Sequence, residues 1–430
     1  MQYFSTNRNS PNASFREAVL RGQPDDKGLY FPSQIPRLPD GFVASLGSLS
    51  NAEIAFEVML PYVDGEIDEA TLRTICEETV DFKFPLVPIN DGISTLELFH
   101  GPTLAFKDVG ARFMSRCLQH FSRHENRKTI VIVATSGDTG SAVAAGFHGV
   151  EGIEVVILYP KGRVSKIQEL QLTTLGGNVT TLELHGSFDD CQALAKQALA
   201  DGELAEKASF TSANSINVAR WLPQQVYYFY AVKQMSGEIP VMSVPSGNFG
   251  NLASGVLAKA SGLPIKKFIA ACNANDVVPR FLASGKYDPR QSVATLSNAM
   301  DVGAPSNFVR ILEIFGNDHV ELADELTAAS VSDEETAATM REVYKMHGYT
   351  LDPHGGVAYR ALADYLDESG LSEGIFLETA HPVKFHSVEK IIGIETDKPE
   401  AVRDLVGKKK VSTEISNNYD ELRSILLSKV

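Results

Sequence analysis

Apolar positions in roughly the first 90 residues come in short bursts between polar and proline-rich stretches. "GLYFPSQIPRLPDGF" (28–42) places three prolines between aromatic anchors and excludes a long helix. "NAEIAFEVMLPYV" and "DEATLRTICEETV" carry helical spacing, and Asp68 is placed to cap the second. From residue 93 the pattern becomes strand and helix in alternation. "ISTLELF" predicts a strand, and "FKDVGARFMSRCLQHF" a helix with Phe106, Val109, Phe113 and Leu118 on one face. "KTIVIVAT" predicts a buried strand running through a glycine turn into the small-residue helix "SGDTGSAVAAGF". The strands "IEVVILYP" and "NVTTLELHG" follow, alternating with the helices "SKIQELQLTTLG" and "FDDCQALAKQALA".

"NSINVARWLPQQVYYFYAVKQM" predicts one long helix. "PVMSVPSGNFGNLASGVLAKA" repeats the sequence of strand, glycine turn and helix, and "KFIAACNAN" adds a strand. Residues 275–350 carry little β signal and predict mostly helix. "DPHGGVAYRALADYL" predicts a helix, "GIFLETAHPVKF" a strand entering a turn, and the charged tail a helix. The alternation implies an α/β fold with parallel sheets and crossover helices. It divides the chain into an N-terminal helical and loop segment (1–92), a large lobe (93–115 and 235–395, with 275–350 as a helical insertion), a smaller α/β lobe (116–234) and a tail (396–430). No internal repeat or low-complexity segment is present.

Bulk properties narrow the function. A chain of 430 residues is too long for one simple core. With 43% hydrophobic and 22% charged residues, and mean hydropathy near zero, it reads as a globular protein. A net charge of −15 gives no electrostatic footprint for nucleic acid. No apolar run is long enough to span a membrane, and the start "MQYFSTNRNSPNASF" lacks the apolar core of a signal peptide. Cys76, Cys117, Cys191 and Cys272 are scattered, which suits free thiols in a cytoplasmic setting. His120 and His124 are four apart, but their polar, basic surroundings predict an exposed helix end; no metal site is expected.

The chemistry begins at Lys107 in "HGPTLAFKD". It follows a strand and a Gly-Pro turn, at the kind of junction where α/β proteins place their sites. An arbitrary lysine there is a surface residue whose stem snorkels over apolar neighbours. A desolvated lysine instead loses its proton and can form a Schiff base. Two glycine turns, "TSGDTGSA" (135–142) and "SGNFGN" (246–251), each follow a strand and open a helix, and so offer N–H groups to an anion. Neither matches GxGxxG, and no GxxxxGK[ST] occurs, so a dinucleotide fold and a P-loop are not supported. A lysine partner, a single phosphate and a polar ring describe pyridoxal 5′-phosphate.

"HGPTLAFKD", "ATSGDTGSA", "NSINVAR", "PSGNFGN" and "ETAHPVKF", in this order, resemble the threonine synthases of the longer bacterial and fungal type, among the fold-type II (tryptophan synthase β-like) pyridoxal phosphate enzymes. The likeness runs over nearly the whole chain. It implies that Lys107 is the Schiff-base lysine and catalytic base. It implies that Ser246, Gly247, Asn248, Phe249, Gly250 and Asn251 cradle the cofactor phosphate, and that the Thr379 hydroxyl meets the ring nitrogen. Thr135, Ser136, Gly137, Thr139 and Ser141 would grip the substrate carboxylate, with Asn248 also at the substrate. Asn214, Ser215 and Arg220 would hold the substrate phosphate, with Asn214 capping the long helix.

Asp138 stands where many fold-type II relatives carry asparagine facing the cofactor's 3′ oxygen, although the longer threonine synthases share the aspartate. A carboxylate there needs a shared proton or must turn away. The implied reaction converts O-phospho-L-homoserine and water to L-threonine and phosphate in a monomer or small homo-oligomer. Two alternatives stay open: a phospholyase yielding 2-oxobutyrate, and a phosphorylated-metabolite binder without catalysis.

Overall fold

The computed structural model describes residues 1–63, 65–123, 127–396 and 398–430. His124 lies outside the described residues, and His120 sits in the last turn of its helix. In chain order the strands are β1 (Tyr3–Ser5), β2 (Tyr30–Pro32), β3 (Leu86–Pro88), β4 (Ile93–Glu97), β5 (Thr129–Ala134), β6 (Ile153–Pro160), β7 (Val179–Leu184), β8 (Ser209–Ser212), β9 (Val241–Pro245), β10 (Lys267–Cys272), β11 (Leu326–Ser330), β12 (Gly374–Glu378) and β13 (Thr413–Ile415). A six-stranded sheet has the order β11-β10-β9-β12-β4-β3, and a five-stranded sheet the order β13-β7-β6-β5-β8. Only β3, paired to β4, runs antiparallel within these two sheets. β1 and β2 form a separate antiparallel pair.

The central strands are buried on both faces, which is why "TIVIVA" and "GIFLE" read as apolar runs without alternation. Asp68 caps its helix as expected, accepting from Thr71 N at 3.0 Å. Four expectations are revised. Residues 275–350 include β11, a small-residue strand ("LTAAS") stabilised by pairing to β10 rather than by its own propensity. The tail is not purely helical, because β13 adds to the five-stranded sheet beside β7. The long helix is broken: Val218–Trp221 is α-helical, Leu222–Gln225 is 3₁₀, and Val226–Gln234 is α-helical again. Pro223 lacks the N–H that a continuous helix would need there. Finally, the cap of the first piece is Asn217, which accepts from Ala219 N at 3.0 Å; Asn214 lies outside it.

The N-terminal segment braces this region from behind. Asn217 Nδ2 donates to Val19 O at 2.9 Å, and Arg310 Nη2 donates to Tyr30 O at 3.2 Å. Among the described residues no helix is long and apolar enough to cross a membrane. All four cysteines are free and buried.

Candidate active site

The residues singled out above cluster at carboxyl ends of strands in both sheets, where open α/β folds bind ligands. β4 leads into a loop that ends at Lys107, the first residue of the helix Lys107–Ser122. That loop is pinned to the end of β12. Phe106 N donates to Thr379 O at 2.9 Å, and Ala105 bridges Ala380. The Tyr227 hydroxyl holds Phe106 O. Leu104 takes a left-handed φ of 58°, a conformation costly for a branched side chain. Asp108 is engaged by Thr103, whose N and Oγ1 donate at 3.0 and 2.5 Å.

Lys107 is half-buried. Its Nζ lies 5.6 Å from the Phe106 ring centroid and has no hydrogen-bond or ion-pair partner among the described residues. Burial pulls the ammonium down to about 8, against the attraction of Asp138 and with help from the charges of Arg220 and Lys384. At neutral pH about a tenth of the amine is therefore unprotonated, far more than for an ordinary lysine. This is not the environment of a fully solvated surface lysine.

The loop after β5 is shaped by its own side chains. Thr135 Oγ1 accepts from Gly137 N at 3.0 Å and from Gly140 N at 2.8 Å, and Ser141 Oγ donates to Gly137 O at 3.3 Å. Those two hydroxyls are committed to the loop, whereas Ser136 and Thr139 are half-buried at its open side. Gly137 has φ 150°, and an added Cβ would sit 2.5 Å from Gln168 Nε2. Only glycine fits there.

Asp138, the first residue of the following helix, receives Lys384 Nζ at 2.5 Å and Gln168 Nε2 at 2.8 Å, both on Oδ1. Burial pushes its carboxyl upward. The charges of Lys384 and Lys107, and hydrogen bonds from Lys384 and Gln168, outweigh burial and hold it below the usual carboxylate range. The aspartate has thus turned toward a cation instead of sharing a proton.

After β9, Ser246 Oγ turns back to Val244 O at 2.8 Å. Phe249 adopts a left-handed φ of 62° and opens the helix Gly250–Ala260, whose first N–H groups have no intrahelical acceptor. Asn248 Nδ2 donates to Ser215 Oγ at 2.8 Å, and Asn248 Oδ1 accepts from Ser306 N at 2.6 Å. Asn251 Oδ1 accepts from the Tyr228 hydroxyl at 2.9 Å, while its Nδ2 is buried without a partner. Thr379, directly after β12, is buried.

Arg220 is not on a solvent face. It is 3% exposed and donates Nη1 to Ala213 O at 2.8 Å, leaving Nε buried and unpaired. Gly110, one turn beyond Lys107, gives it room: a Cβ there would meet Arg220 O at 2.6 Å. Burial lowers its guanidinium to about 10, against Tyr227 and Asp108. Asn214 Nδ2 donates to Ala134 O at 3.2 Å, which ties the ends of β8 and β5 together.

Sequence reasoning missed two residues. Lys384 stood inside the quoted "ETAHPVKF", and a lysine directly after the apolar pair Pro-Val was the available signal. Its Nζ also donates to Thr103 O at 2.8 Å. Arg310 is fully buried and joins Ser215 O, Ile216 O and Asn307 Oδ1 at 3.0, 2.7 and 2.6 Å. Its Cζ lies 4.2 Å from the Trp221 ring centroid. No carboxylate pairs with it among the described residues, and burial draws it down to about 9. "FVRILEI" gave only the pattern of an apolar helix.

These residues fit a phosphorylated aldehyde cofactor. Lys107 is an unpartnered, partly deprotonated amine. The helix start at Gly250 presents N–H groups, and a Cβ added to Gly250 would make only ordinary contacts, the nearest with Asn307 Nδ2 at 3.5 Å. Fold and site together define a pyridoxal phosphate-dependent enzyme of fold type II. Residues 94–379 match the family described as "Pyridoxal-phosphate dependent enzyme", residues 2–80 "Threonine synthase N terminus", and residues 356–426 "Threonine synthase, C-terminal". The chain is 46% identical to threonine synthase of Haemophilus influenzae over 431 residues, covering 99% of this chain and 100% of that one. The solved structure of threonine synthase from Escherichia coli superposes with a TM-score of 0.92 at 42% identity and full coverage of both chains. The pyridoxal phosphate-bound threonine synthase from Brucella melitensis gives 0.93 at 35% identity, covering 99% and 98%. The chain belongs to the threonine synthase family, and its cofactor is pyridoxal 5′-phosphate.

Proposed function

We propose that this enzyme converts O-phospho-L-homoserine and water to L-threonine and phosphate, with Lys107 as the base. The observation that carries the reading is the convergence of Lys107, Arg220 and Lys384 on a site whose carboxylates are Asp138 and Asp108. Arg220, a buried cation with an unpaired Nε, suits a substrate bearing a phosphate dianion.

Bound pyridoxal phosphate supplies an electron sink for charge developing at the substrate carbons. The loop Ser246–Asn251 would cradle the cofactor phosphate, and the Thr379 hydroxyl would meet its ring nitrogen. Lys107, poised near 8, takes protons at Cα and Cβ and returns them. Arg220, with Asn214 and Ser215, orients the phosphate that leaves from Cγ. Its unpaired Nε supports that role. The loop Thr135–Ser141 receives the substrate carboxylate, chiefly through the half-buried Ser136 and Thr139 and the N–H groups of Asp138 and Thr139 at the helix start, because the Thr135 and Ser141 hydroxyls and the Gly137 and Gly140 N–H groups are already engaged. Water then adds at Cβ, and threonine leaves.

The lobe division stated above, a cytoplasmic location and a monomer or small homo-oligomer complete the reading. The free thiols support the location. The test is to incubate the enzyme with O-phospho-L-homoserine and identify the products. Threonine with one equivalent of phosphate supports the reading. 2-Oxobutyrate with ammonia makes the enzyme a phospholyase, and no phosphate release makes it a binder.

A further inference from the structure

Three ionisable groups buried behind the end of β12 take no part in the chemistry above. Glu378 and Asp352 are 0% exposed and His354 is 3% exposed. Asp352 caps the helix Pro353–Ser369. Its Oδ1 accepts from His354 N at 2.5 Å, His354 Nδ1 at 2.7 Å and Gly355 N at 3.3 Å. Its Oδ2 accepts from Ala380 N at 3.2 Å. Glu378 Oε1 accepts from Asp352 N at 3.1 Å, while Glu378 Oε2 is buried without a hydrogen-bond partner. Gly355 leaves the carboxyl its space, because a Cβ there would overlap Glu378.

Two buried carboxyls side by side cannot both ionise. Burial, then the charge of Asp352, drives Glu378 well above the ordinary range. Burial opposes ionisation of Asp352 as well, but His354 and the hydrogen bonds it receives hold it low. Glu97, which accepts from the Tyr349 hydroxyl at 2.7 Å, also faces Glu378 and disfavours its charge. The proton therefore resides on Glu378, whose carboxyl is hydrogen-bonded to that of Asp352. Thr379 lies between Glu378 and Ala380, and its carbonyl accepts from Phe106 N, next to Lys107.

We propose that Glu378, Asp352 and His354 form a hydrogen-bonded relay, with one proton shared between the two carboxyls, that positions Thr379 against the cofactor ring. All three are positioning residues, and the inference rests on the assignment of Thr379 above. A neutral donor at 378 and an anion at 352 clamp the helix start to the turn that carries Thr379. That turn in turn holds the backbone before Lys107.

The decisive measurement is the infrared difference spectrum of the holoenzyme against Glu378→Gln. At neutral pH the wild type should show a protonated carboxylic-acid C=O stretch that the variant lacks. Absence of that band means Glu378 is ionised and overturns the relay, while leaving the threonine synthase reading intact. Glu378→Gln keeps a donor and should retain turnover to within about twofold, with an unchanged cofactor absorption band. Glu378→Leu and Asp352→Asn should lose about tenfold in kcat with little change in KM, and should shift that band. An unshifted band and intact kcat in either folded variant reduces the cluster to a helix cap. If both variants fail to fold, the infrared band and Glu378→Gln still decide.

Discussion

Lys384 Nζ sits 2.5 Å from Asp138 Oδ1, with the lysine side chain 0% and the aspartate 4% exposed. The pair answers what an aspartate does in this loop: it is a counter-ion, kept charged by a lysine from the turn after β12. It also governs Lys107. Lys384 lowers the Lys107 ammonium by like-charge repulsion, against the attraction of Asp138, which raises it.

Lys384→Met should therefore move Lys107 above about 8. Cofactor capture by the apoenzyme needs the free amine, so it proceeds above the Lys107 pKa and fails as pH falls through it. The midpoint of the capture rate against pH should rise in the variant. The variant also strands a buried charge and should lose stability by about 3–5 kcal/mol. Lys384→Met/Asp138→Asn should recover much of that loss. An unchanged midpoint separates Lys384 from Lys107.

Arg220 should act on the substrate and not on the cofactor. Arg220→Leu is expected to keep cofactor binding, raise KM and cut kcat, with a combined loss of about 100-fold in kcat/KM, or about 2.7 kcal/mol. Arg220→Lys should rescue only part, because a point charge replaces a planar fork. Inorganic phosphate should compete less well against Arg220→Leu than against the wild type. Equal inhibition of both proteins removes Arg220 from the phosphate site.

The two glycines of the "SGNFGN" loop should respond differently. A Cβ on Gly247 would meet Met300 Cα at 2.5 Å, and backbone cannot yield as a side chain does. Gly247→Ala should lower the melting temperature of apoenzyme and holoenzyme alike. Gly250 has room within the protein. Gly250→Ala should leave the apoenzyme's melting temperature near wild type yet weaken cofactor retention, and Gly250→Val should do so more strongly. Full cofactor loading of Gly250→Val after dialysis places the phosphate elsewhere.

What was legible in the sequence follows from where the signal resides. β5 and β12 declare themselves because strands buried on both faces must be apolar throughout. Lys107 stood out because a cation after a strand and a turn is locally odd, and the structure places it at the start of the helix Lys107–Ser122. β11 and β13 were not, since "LTAAS" and "TEI" owe their extension to β10 and β7. The break at Pro223 was legible in principle and overridden by the helical spacing around it. The Asn217 cap was hidden because "NSIN" offers two asparagines, and the choice depends on Val19 O of the N-terminal segment. Lys384 and Arg310 are ordinary cations in sequence, and only tertiary contacts give them meaning.

Arg310 should prove structural. Its donors satisfy carbonyls at 30, 215 and 216, joining the N-terminal segment, the end of β8 and the helix Phe308–Ile314. Arg310→Met strands those acceptors and should cost on the order of 3 kcal/mol in chemical denaturation. Because Asn307 loses its anchor and its N donates to Asn248 O at 3.2 Å, in the loop assigned to the cofactor phosphate, cofactor affinity should fall too. A variant as stable as the wild type refutes this reading.

The central claim is that Lys107 bears the cofactor, and peptide mapping after reduction tests it most directly. The holoenzyme should absorb as a yellow protein, and borohydride should fix the cofactor irreversibly on the peptide containing Lys107. Lys107→Ala should fold and bind cofactor only reversibly, with no label after reduction. Label on Lys384 or on any other lysine in the wild-type enzyme contradicts the account.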